Sequence, residues 1–183
     1  MWAPESGGTG RLIGAALSAT ALLLAVTLPA TTAGAQSASC LGQGATIVGT
    51  PGDDVLTGTA GDDVIAGLGG NDQIIGGGGN DVLCGDDGND SVEGGSGNDA
   101  VSGGNGDDSL QGDSGIDFLD GGSGADRLSG GNENDRLVGG EGDDQLFGNA
   151  GNDRLDGGPD TDTCNGGFNA DHAANCESTE GVP

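Results

Sequence analysis

The chain has 183 residues, enough for one modest domain, with 43 glycines, four cysteines, no lysine and a formal charge of −26. That charge excludes nucleic acid as a partner, because its phosphates would be repelled, and makes a cation the natural counterpart. Composition this rich in glycine and acid ordinarily indicates disorder, but the strict internal period described below argues against it.

The first 35 residues read as an export signal. Arg11 precedes a 17-residue, mostly apolar run, Leu12 to Leu28, which Pro29 breaks. Small residues follow and end in Ala33-Gly34-Ala35, an A-x-A cleavage pattern. The run is short of the roughly 20 apolar residues that a membrane span needs, so no span is expected in the mature chain. The expected organisation is a signal peptide over 1–35, a cap strand within 36–48, a repeat array over 49–174 and a tail over 175–183. The expected location is secreted, extracellular.

Residues 36–48 lead into the array. Thr46-Ile47-Val48 is a short β-branched strand, and Ile47 lies nine residues before Leu56. The preceding stretch, Leu41 to Ala45, reads as a repeat turn with Ala45 where an aspartate belongs, so the segment keeps the strand and drops the ligand. Atypical terminal units are expected of a stacked array.

From Gly49 onward one nine-residue pattern runs without a slip. Its aspartates are Asp54, Asp63, Asp72, Asp81, Asp90, Asp99, Asp108, Asp117, Asp126, Asp135, Asp144, Asp153, Asp162 and Asp171. Five residues before each stands a glycine, from Gly49 to Gly166, and two residues after each stands an apolar residue, from Leu56 to Leu155. The last two of that column weaken to Cys164 and Ala173. Each unit offers six turn-forming residues and three strand-like ones, of which only the middle side chain points inward. Two units then make one coil, and the fourteen units give about seven two-strand coils. At a strand spacing of about 4.8 Å the stack is roughly 30 Å long.

Coiling divides the aspartates into two rows whose members are 18 apart in sequence. One row runs from Asp54 to Asp162 and the other from Asp63 to Asp171. Carboxylates and bare turn carbonyls stacked at this spacing make all-oxygen cages. Their variable geometry suits Ca²⁺ better than Mg²⁺, which demands a rigid octahedron and keeps its own waters. Seven aspartates leave six gaps per row, hence at most about twelve calcium ions, which would nearly cancel the formal charge of −26.

Units such as Gly94-Gly95-Ser96-Gly97-Asn98-Asp99-Ala100-Val101-Ser102 have the form GGxGxDxUx, and the array resembles the RTX, or hemolysin-type, calcium-binding repeat. The resemblance covers residues 49–174. It implies an all-β fold, a right-handed parallel β-roll or β-solenoid. It further implies that Ca²⁺ is held between successive turns by the aspartates and turn carbonyls, and that folding is coupled to calcium. Coupling also follows from the composition. Burial of about a dozen aliphatic side chains falls well short of the entropy lost on ordering so glycine-rich a chain. Some turns depart from the pattern. Glu133 and Asp160 replace the glycine two before the aspartate, and Ile116 and Ala125 replace the usual Asn or Asp just before it.

Four cysteines in an exported chain indicate disulfides, and three pairings exist. Cys40–Cys84 and Cys164–Cys176 are favoured, since each would staple one end. No zinc-ligand spacing is present, and His172 is the lone histidine. Catalysis has little support: only 13 residues separate the cleavage signal from the array, and the repeat already assigns the carboxylates to metal. An ice-binding ladder is excluded because no threonine occurs three residues before any of the aspartates. Six asparagines just before the aspartates are attributed to turn chemistry. The reading is therefore a secreted, non-enzymatic calcium-binding protein. The alternative is an extracellular structural or adhesive protein in which calcium only stabilises the scaffold. Arg136 and Arg154, neighbours on one face, are its candidate contacts with a cell-surface or matrix partner.

Overall fold

The computed structural model describes residues 38–181. The expected signal peptide over 1–35 lies outside the described residues. A short hairpin opens the fold, β1 (Ser39–Cys40) against β2 (Gln43–Gly44), followed by β3 (Ile47–Val48) and β4 (Val55–Thr57). Ten strands of six residues follow: β5 (Val64–Gly69), β6 (Gln73–Gly78), β7 (Val82–Asp87), β8 (Ser91–Ser96), β9 (Ala100–Asn105), β10 (Ser109–Ser114), β11 (Phe118–Ser123), β12 (Arg127–Asn132), β13 (Arg136–Glu141) and β14 (Gln145–Ala150). The last four are short: β15 (Arg154–Asp156), β16 (Thr163–Asn165), β17 (His172–Ala174) and β18 (Ser178–Glu180).

Successive strands alternate between two eight-stranded sheets, even-numbered β4 to β18 in one and odd-numbered β3 to β17 in the other. Pairing within each is parallel, and inside the array it joins residues 18 apart, as in Leu110↔Leu128 and Leu119↔Leu137. The chain is thus a β-solenoid of about seven coils, as the period requires. Ile65, Ile74, Leu83 and their successors through Leu155 and Cys164 fill the space between the sheets as one continuous core. Among the described residues no helix is long and apolar enough to cross a membrane.

Three features differ from the sequence expectation. The interior strands are six residues long, not three, because the turn backbone also pairs from coil to coil. Gly97 N–H, for example, donates to the Ser114 carbonyl at 2.8 Å. The second difference precedes β3. The segment read as a repeat turn is instead the β1–β2 hairpin, which packs β1 against β5 and β7. It buries Ala66 and Cys84 on what is otherwise an outward face. The Ala45 N–H donates to the Ala38 carbonyl at 2.8 Å instead of to an aspartate of the next coil, and the Cys40–Cys84 disulfide (Cα–Cα 5.6 Å) fixes the hairpin. The third lies in the segment read as a tail: Ser178–Glu180 adds a strand to β16, with Thr163↔Ser178 only 15 residues apart. The Cys164–Cys176 disulfide (Cα–Cα 6.0 Å) precedes it, so both favoured pairings are present.

Candidate metal centre

Each repeat places its aspartate immediately before a strand, just where the chain leaves the glycine turn. In twelve neighbour pairs, from Asp54–Asp72 to Asp153–Asp171, the backbone N–H of the earlier aspartate donates to Oδ1 of the later one at 2.8–2.9 Å. The fourteen aspartates thereby form two continuous rows, one along each edge of the solenoid. All from Asp72 to Asp171 are buried.

The second carboxylate oxygen behaves differently. Oδ2 of the twelve aspartates from Asp72 to Asp171 is buried and meets no hydrogen-bond donor. It lies against the glycine five residues back, where a Cβ would collide with it. For all of these but Asp135 and Asp171, a backbone carbonyl from further along the chain crowds the same space. Asp90 Oδ2 and the Gly103 carbonyl crowd the same side of Gly85, and Asp108 Oδ2 and the Gly121 carbonyl crowd Gly103. That glycine column therefore exists to admit the carboxylate. A buried carboxylate oxygen without a donor, set beside a carbonyl oxygen, is an arrangement that costs free energy unless a cation compensates it.

The electrostatics agree. Burial pushes Asp108 and Asp135 up to about 7 and Asp117, Asp126 and Asp144 up to about 6, from an ordinary 3.8. The incoming backbone N–H opposes this, and neighbouring carboxylates reinforce it. Asp72, Asp81, Asp90, Asp99, Asp153 and Asp162 are raised too, first by burial.

The donor set is one carboxylate per turn together with backbone carbonyls. Among the described residues no three Asp, Glu, His or Cys side chains gather into a cluster that holds an ion by side chains alone. An all-oxygen environment that mixes carboxylate and carbonyl fits a hard cation of the calcium type, so the residues present fit that ion.

The first aspartate of each row departs from the others. Asp54 and Asp63 lack the orphaned Oδ2 of the others. Thr50 satisfies Asp54 Oδ2 through its N–H at 2.6 Å and its hydroxyl at 2.9 Å, and Thr59 does the same for Asp63. Threonine four residues before the aspartate occurs only in these first two units, and that was the available signal. At the other end Asp162 N–H donates to Glu177 Oε2 at 2.6 Å, so a glutamate stands where the next aspartate of the row would be.

The residue before each aspartate builds a second ladder running the opposite way. Asn89 N–H donates to Asn71 Oδ1 at 2.9 Å, Asn98 N–H to Asn80 Oδ1 at 2.9 Å, and Asn152 N–H to Asn134 Oδ1 at 2.7 Å. The asparagine column is therefore a contact between coils and not only local turn chemistry. Ile116 and Ala125 donate to the preceding coil, to Asn98 and Asp107, but have no side-chain oxygen to accept from the following one. Glu133 and Asp160 keep the left-handed turn, with φ of 74° and 85°.

Two of the arginines make local contacts. Arg127 lies over the Phe147 ring at 4.2 Å and bonds Gln145 at 3.0 Å, and Arg136 lies over Phe118 at 5.4 Å. Arg136, Arg154 and His172 stand in one cross-strand column.

The model of the RTX calcium-binding nonapeptide repeat, four copies long, matches at residues 48–83, 75–110, 85–119, 102–137, 111–146 and 138–173. No curated protein matches the chain.

Proposed function

We propose, because this chain belongs to the RTX calcium-binding nonapeptide repeat family, that it is an extracellular calcium-binding protein whose solenoid folds as Ca²⁺ enters between successive turns. The observation that carries the reading is the set of twelve buried, donorless Oδ2 atoms, ten of which share their place beside the turn glycine with a backbone carbonyl. In the proposed site Asp(n) Oδ2 and the turn carbonyl of the next coil hold the ion, while Oδ1 remains bonded to the preceding coil. Asp54 and Asp63, already satisfied by threonine, then serve chiefly as starting residues of their rows.

Folding coupled to calcium follows from the same atoms. Without the ion, each added coil buries another carboxylate against a carbonyl and beside the carboxylates of its neighbours, and little apolar surface is available to offset that. With the ion, binding free energy becomes folding free energy. Extracellular location is supported by the export pattern of residues 1–35 and by two disulfides, which persist in oxidising compartments. We assign no catalytic role.

The test is far-ultraviolet circular dichroism of the chain in EGTA and then in millimolar calcium, together with a calorimetric titration. Strand signal that develops with calcium, at several ions per chain, is expected. A spectrum already complete in EGTA and unmoved by calcium would remove the proposal.

A further inference from the structure

The row that begins at Asp54 does not end at Asp162. Asp162 N–H donates to Glu177 Oε2 at 2.6 Å, the same bond that every earlier aspartate of the row makes to its successor. The surroundings repeat as well. Asp162 is wholly buried, and its Oδ2 has no donor. Beside Gly157, the space that a Cβ would take is crowded by Asp162 Oδ2 and the Asn175 carbonyl. In the coil before it, Asp144 Oδ2 and the Gly157 carbonyl crowd Gly139 in the same way. The gap between Asp162 and Glu177 thus offers the carboxylate and carbonyl oxygens of an interior gap, although its far side, Asn175 and Glu177, lies beyond the last repeat unit.

The geometry points to a terminal cation site of the calcium class in this gap, with Asp162, the Asn175 carbonyl and Glu177 as its oxygen donors; this rests on the calcium reading proposed above. The last turn is three residues shorter than the others, since β18 pairs with β16 at a separation of 15 rather than 18. Glutamate, one methylene longer than aspartate, recovers part of the lost reach. The disulfide from Cys164 in β16 to Cys176, the residue before Glu177, holds the shortened turn where the carboxylate meets Asp162. The C-terminal end is then closed by an ion, whereas the N-terminal end is closed by the hydroxyls of Thr50 and Thr59.

The test compares the full chain with Glu177→Gln and Glu177→Ala. Glutamine keeps an acceptor for the Asp162 N–H and removes the charge, whereas alanine removes both. Amide hydrogen exchange is followed against calcium for two segments, 157–181 and 85–117. With Glu177→Gln, the calcium concentration that protects 157–181 should rise by about tenfold, towards the alanine variant, while that of 85–117 stays put. A glutamine variant that overlays the wild type in 157–181 overturns the terminal site and leaves Glu177 a hydrogen-bond acceptor only. A wild-type chain in which neither segment responds to calcium overturns the calcium reading, and the terminal site with it.

Discussion

Asp90 and Asp108 are joined by a single hydrogen bond, from the Asp90 backbone N–H to Asp108 Oδ1 at 2.8 Å, and this bond leaves the other oxygen of Asp108 buried without a donor. One carboxylate thus does two different things. Oδ1 ties coil to coil and needs no metal, whereas Oδ2 has no donor and, in the proposed site, is the oxygen that takes the ion. Asparagine can satisfy both positions without an ion, because its Oδ1 accepts as before and its NH₂ can donate to the carbonyl. Replacing Asp90, Asp108 and Asp126 together by Asn should therefore separate folding from calcium. The expected outcome is more strand signal in EGTA than the wild type shows, with fewer ions bound in a calorimetric titration. If the triple variant is less folded than the wild type in EGTA, the division of labour between the two oxygens is wrong.

Acidity should act on the calcium-free chain in the opposite direction to its action on most proteins. The folded-state values of Asp108 and Asp135 are about 7, and those of Asp117, Asp126 and Asp144 about 6, above the ordinary 3.8. A carboxyl whose value is raised by folding favours the fold when protonated. Its contribution is therefore present at low pH and lost as pH rises from the unfolded value through the folded one. In the absence of calcium, strand signal should increase on going from pH 7.5 to pH 5, the gain setting in as pH falls below about 7. Surface carboxylates relieving general repulsion would begin to respond only nearer pH 4 to 5. In calcium the sign reverses, because protons compete for Oδ2, and the apparent calcium affinity at pH 5 should fall below that at pH 7.5. Circular dichroism and calcium titration at the two pH values check both halves.

The period made the sheets, the core and the two rows legible, because residues 18 apart must coincide once any coil forms. Leu110 over Leu128 is a consequence of arithmetic and of the inward column. What escaped was whatever the period does not encode. Asn71 reads as a turn residue until stacking brings the Asn89 N–H to its side chain. Glu177 is out of phase by three residues, so a search along the period passes over it, although Thr179 two residues on repeats the aspartate-plus-two relation that marks every strand. The β1–β2 hairpin is fixed by a disulfide to the outside of the solenoid, and nothing in a nine-residue pattern describes an outside attachment.

Asp160 occupies a turn position that glycine holds one coil earlier. Gly142 has φ of 121° and Asp160 φ of 85°, both in the left-handed region, which is costly for a residue with a Cβ. Asp160 also raises the energy of ionised Asp162, two residues away. Asp160→Gly should stabilise the calcium-loaded fold by about 1 kcal/mol, the left-handed cost outweighing the added freedom of the unfolded chain. Denaturant unfolding in saturating calcium measures this. A loss of stability would mean that the aspartate side chain has a role in the turn that outweighs its strain.

The two disulfides should act on their own ends and not on the whole molecule. A solenoid is quasi-one-dimensional, since each coil touches only its neighbours, so a constraint at one end is felt over a few coils. Cys164–Cys176 closes a loop with a sequence separation of 12 and Cys40–Cys84 one of 44. Loop-closure entropy assigns them about 3 and about 4 kcal/mol respectively, relative to an unfolded chain without the bond. Replacing Cys164 and Cys176 by Ser should speed amide exchange in β16 and β18 in calcium while leaving β5 and β7 unchanged. Replacing Cys40 and Cys84 by Ser should do the reverse, releasing the hairpin and exposing Ala66. Hydrogen exchange read segment by segment distinguishes the two. Equal loss of protection along the whole array in either variant would show that the coils fold as one cooperative unit, and that the end staples secure more than their ends.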